Sequence, residues 1–134
     1  LAKHLFDHTP SAPYWALDWI FTDADQRWED VLPVAFTVLA RWFSRGFVLE
    51  TKAWATKLLR ESLAFLSSDE VPYPTPLQRS VLLMLKRWGR TDAEMRADLL
   101  ASAELSAWEA GDNPVQQEFA ADLRFELEEY LTTQ

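Results

Sequence analysis

From Tyr14 to Leu131 apolar residues recur at intervals of three and four, in stretches parted by short breaks rich in Gly, Pro, Ser and Thr. This is the period of helices that each set one face against a core. A first short helix is expected through "YWALDWIF", opened by Pro13 after Ser11 and Ala12. Thr22 and Asp25 have the spacing of a capping box ahead of a segment that reaches Gly46. Pro33 lies inside that segment and demands a kink or a break near Asp30. Thr51 is placed to cap "KAWATKLLRESLAFL", and Thr75, Pro76 and Gln78 restart the chain as cap, first-turn proline and box partner. That helix is expected to end at Gly89. Thr91 with Glu94 repeats the box for a helix ending at Gly111, and Asn113, Pro114 and Gln116 repeat it for the last.

No segment alternates like a strand over a useful length; "FVLE" after Gly46 is the one short candidate. No repeat of fixed period supports a solenoid. The expected fold is therefore all-α: a compact bundle of five to six helices with antiparallel helical hairpins and no sheet. Residues 1–134 read as one domain, with an N-terminal segment over 1–12 and an acidic helical hairpin over 92–131.

Helical wheels sort the faces. The 51–66 helix is expected to bury Trp54, Leu58, Leu59, Phe65 and Leu66, and the 76–88 helix Leu77, Val81, Met84, Leu85 and Trp88. In the last helix Val115, Phe119, Leu123, Leu127, Tyr130 and Leu131 form one stripe. Phe125 falls on the far side, among Glu118, Ala121, Asp122 and Glu129. In the preceding helix Met95, Leu99, Leu100, Ala103 and Ala107 form the core stripe. Leu105 and Trp108 then point elsewhere, among Glu94, Asp98, Glu104 and Glu109.

Charge sharpens this picture. The chain carries a net −8, but residues 92–134 hold 11 acids and 2 bases, a balance of −9, while residues 41–91 hold 4 acids and 9 bases, a balance of +5. An acidic total disfavours nonspecific nucleic-acid binding, which needs cations to neutralise phosphates. The absence of cysteine excludes disulfides, thiolate metal sites and cysteine nucleophiles. The longest apolar run, "VLPVAFTVLA", is too short to span a bilayer and no signal peptide is visible, so a cytoplasmic, non-membrane protein is expected.

Candidate chemistry is thin. His4 and His8, with Asp7 beside the second, have the spacing of helical zinc ligands. No cysteine or further histidine completes the set, and Leu5 stands where a metalloprotease helix needs glutamate. A short amphipathic turn through Leu1, Leu5 and Phe6 is the better reading, and no metal or cofactor is assigned. No nucleophile elbow or phosphate-cradling glycine loop is present. Of the seven tryptophans, Trp15, Trp19, Trp42, Trp54 and Trp88 read as core, and Trp28 is ambiguous.

What remains is the hairpin. Large apolar groups in an acidic field have the make-up of an interface with aromatic anchors and a charged rim. The expected function is a non-enzymatic protein-binding module, in its most concrete form a small acidic inhibitor or immunity-type protein that masks a basic site on a protein partner. Phe125, Trp108 and Leu105 would anchor that partner, and Glu118, Asp122, Glu129, Glu104 and Glu109 would steer it. The alternative is a structural or scaffold domain that self-associates, for instance as a homodimer. The competing account of the anchors is that they pack against another layer of the same bundle.

Overall fold

The computed structural model describes residues 11–22, 29–67 and 74–133, with side chains through residue 128. Among these residues all regular structure is helical. Helix α1 spans Ala12–Phe21, and a 3-10 turn over Glu29–Val31 leads into α2, Leu32–Ser44. Then come α3, Lys52–Leu66; α4, Pro76–Thr91; α5, Ala93–Leu100; α6, Ala103–Ala110; and α7, Pro114–Thr133. The His4–His8 pair, Trp28 and the Thr22–Asp25 box fall wholly or partly outside the described residues.

Among the described residues seven α-helices stand where five or six were expected, and the difference lies in the hairpin. The expected 92–110 helix is two helices, because the Ser102 hydroxyl accepts from Leu105 N–H and starts α6 afresh. Thr91 does not cap α5. It is the last residue of α4 and its hydroxyl donates to Trp88 O, while Asp92 takes the capping role by accepting from Met95 N–H at 3.0 Å. Of the kink or break expected near Asp30, Pro33 needs no kink: after the 3-10 turn over Glu29–Val31, α2 begins at Leu32 and the proline sits in its first turn. The Thr75–Gln78 capping box forms as expected, with both bonds at 3.1 Å.

Helix α4 is the hub, packed against α2, α3, α5 and α7. Gly89 does not end it. The glycine lies buried within the last turns, where a Cβ would meet Leu127 Cδ2 of α7 at 2.8 Å, so its lack of a side chain permits the close approach of the two helices. Carbonyl oxygens exposed by the end of α4 are met by the buried Arg96, whose Nη1 donates to Gly89 O at 2.7 Å and Arg90 O at 3.3 Å. A guanidinium at a helix C-terminus is also favoured by the helix dipole.

The buried cluster runs through Leu17, Ile20, Leu32, Phe36, Leu39, Phe43, Leu58, Leu66, Met84, Leu85, Trp88, Leu99 and Leu123. Each such side chain contributes about 1.5–3 kcal/mol by leaving water. Phe43 stacks on Trp88 at 5.2 Å with the rings nearly parallel, joining α2 to α4. Among the described residues no helix is long and apolar enough to cross a membrane.

Candidate functional site: two acidic surfaces

The split of the hairpin redistributes the expected anchors. Leu105 is fully buried and Trp108 is 3% exposed, whereas Ala103 and Ala107 face solvent. The break at Ser102 resets the helical phase, so a wheel drawn through 92–110 inverts the second half. Trp108 therefore acts within the chain. Its Nε1 donates to Ser67 Oγ at 3.3 Å and its ring meets Phe119 edge-on at 6.4 Å. Gln116 adds a bond from Nε2 to Ser67 O at 2.9 Å, so the C-terminal end of α3 is tied to both α6 and α7. Neither Leu105 nor Trp108 is available to a partner.

Phe125 is where the wheel placed it, 66% exposed on the outer face of α7. Glu118 and Ala121 are exposed beside it and Asp122 is half-buried; the Glu129 side chain lies outside the described residues. Most of the acids on this side are already matched. Arg124 holds Glu109 with a pair of hydrogen bonds, Nε to Oε2 at 2.6 Å and Nη2 to Oε1 at 2.8 Å, and reaches Glu128 at 2.8 Å. Lys86 of α4 meets Asp122 at 3.1 Å, and Arg90 pairs with Glu126. The Arg124 hydrogen bonds hold the Glu109 carboxyl below its usual range, and the two carboxylates push the Arg124 guanidinium pKa up in turn. This surface is acidic in composition but largely neutralised in place.

A second surface gathers five further acids. Between the 47–51 segment, α3, the end of α4 and α5 lies a groove of about 630 Å³ that reaches the start of α6. Its apolar lining comes from Phe47, Leu49, Leu59, Leu63, Trp88 and Met95. The groove exists because Gly46, at φ +94°, turns the chain out of α2 and sends 47–50 along in non-helical form until Thr51 caps α3. Val48 in that segment is 74% exposed.

Five carboxylates line the groove, from Glu50, Asp92, Glu94, Asp98 and Glu104, against two cations, Lys52 and Arg60. Their engagements differ. Asp92 is committed to capping α5 and also accepts from Trp88 Nε1 at 3.2 Å. Glu50 accepts from the Tyr14 hydroxyl at 2.8 Å, which raises the phenol pKa. Glu94 meets Lys52 at 2.8 Å. Asp98 and Glu104 form no ion pair among the described residues.

Glu104 is thus the one expected steering residue that lines the groove. The groove as such escapes the sequence because "FVLE" yields no period and because the wall is assembled from five separate pieces of chain. Trp54, expected in the core, is 36% exposed and meets Tyr14 edge-on at 6.1 Å. Among the described residues no group of three or more metal-ligating side chains comes together. No protein-family model, curated protein or solved structure matches the chain.

Proposed function

We propose that this chain is a non-enzymatic protein-binding module and that its groove receives a segment of a basic partner protein. The observation that carries the reading is an apolar floor ringed by five carboxylates and only two cations. Charge complementarity defines the occupant: an extended or helical segment with one or two apolar side chains between lysines or arginines. The apolar side chains would lie against Leu59, Leu63 and Met95, and the basic ones would face Asp98 and Glu104. Apolar contact supplies the affinity, while the carboxylates accelerate encounter and reject acidic competitors. An inhibitor or immunity-type role, covering a basic site on the partner, is the form of this function that suits a small acidic chain.

The test is binding of a short fluorescent peptide that alternates leucine with arginine, followed by anisotropy at low and high salt. Saturable binding that weakens as salt rises, with none for the matching leucine–glutamate peptide, is the expected result. Equal binding of both peptides would remove the electrostatic basis of the reading.

A second reading, self-association as a scaffold, is favoured by one observation, the exposure of Phe125 on α7. It predicts a dimer whose formation Phe125→Glu abolishes and salt barely affects, as measured by sedimentation velocity.

A further inference from the structure

Lys52 stands in an unusual place. It is the first residue of α3, where the exposed N–H groups favour an anion, and no acidic residue occupies that first turn. Its ammonium instead crosses the groove to Glu94 in the first turn of α5, a position where a carboxylate is favoured. The two side chains are 79% and 66% exposed, so their bond is formed in water and is inexpensive to exchange. Glu94 and the nearby Asp98 both hold the Lys52 pKa above its ordinary value, which places the ammonium within the field of the acidic wall. Arg60, the other cation lining the groove, makes no ion pair among the described residues and offers an internal comparison of equal charge.

We infer that Lys52 is a built-in competitor for the groove's cation subsite: it occupies Glu94 in the free protein and is exchanged for a lysine or arginine of the bound segment. The inference rests on the groove being the partner site. Exchange leaves the number of ion pairs at Glu94 unchanged, so the incoming cation adds selectivity and contributes little net affinity. A neutral residue in its place leaves Glu94 without that pair and makes the ligand's pair a net gain. Lys52 thereby sets the threshold above which a basic segment is accepted.

The experiment is a double-mutant cycle with the leucine–arginine peptide, using wild type, Lys52→Gln, Glu94→Gln, the double variant and Arg60→Gln. Lys52→Gln is expected to tighten binding about fivefold, the scale of one exposed ion pair. The gain should vanish when Glu94 is already Gln, and Arg60→Gln should give a clearly smaller one. Equal gains from Lys52→Gln and Arg60→Gln, or a Lys52→Gln gain that survives in the Glu94→Gln background, would mean a general charge effect and overturn the inference while leaving the groove as the partner site. No binding by any of the five proteins would overturn the groove reading and the inference with it. Thermal melts of all five should coincide closely, because the substituted side chains lie at the surface.

Discussion

The outer face of α7 and the groove beside α3 are both acidic, yet they differ in what answers their charge. Asp122, Glu126 and Glu128 of α7, with Glu109 of α6, each meet a cation supplied by Arg124, Lys86 or Arg90, while Glu118 forms no ion pair among the described residues. All but the Arg124–Glu128 pair, which lies within α7, join one helix to another. In the groove, Asp98 and Glu104 have no such partner among the described residues, and Glu94 has one that is exposed. Sequence charge alone makes the two regions look alike. Acidity that is matched within the fold ties helices together, and acidity that is unmatched beside an apolar floor is available to another chain.

Four variants would break or sharpen that contrast. The largest effect belongs to Trp108→Ala, which empties a buried site and cuts the bond to Ser67, and should cost about 3–5 kcal/mol in urea unfolding. A small cost would return Trp108 to the list of surface anchors. Next, Asp98→Asn combined with Glu104→Gln should weaken the leucine–arginine peptide about tenfold while leaving the fold intact. Unchanged affinity would detach the groove from the function.

Arg124→Gln should leave peptide affinity alone and lower stability by about 0.5–1 kcal/mol, discounted for the partial exposure of its pairs. It should also alter the acid limb. Because Arg124 lowers the Glu109 pKa in the folded state, the pair's stabilisation is complete above the ordinary carboxylate range and is lost as pH falls through the lowered value. In the variant that part of the loss should be absent from stability measured against pH. The smallest effect is expected for Phe125→Glu, within about 0.5 kcal/mol of wild type, since the ring is already in water. A large loss there would show that Phe125 is packed.

Much of the fold was legible because caps and period agreed. The Thr75–Gln78 box, the Thr51 cap and the stripe of Val115, Phe119, Leu123 and Leu127 all follow from local rules. The errors arose where local signals competed. Ser102 is a serine without a neighbouring glycine or proline, so its break was invisible and the faces of Leu105 and Trp108 were inverted. Gly89 looked like a stop and proved to be a contact, because a glycine reads the same whether it serves a turn or a neighbouring side chain. Of the site, the acids Glu94, Asp98 and Glu104 and the exposure of Phe125 are legible in sequence, but not their place beside an apolar floor. A groove built from α3, the end of α4, part of α5, the start of α6 and an irregular segment has no signature in any single stretch.

The most direct test of the account is a backbone amide shift map of the labelled protein titrated with the leucine–arginine peptide. The account predicts shifts concentrated in residues 47–63 and 91–104, with residues 118–128 little changed. Shifts centred on 118–128, around Phe125, would contradict it and make the outer face of α7 the binding surface.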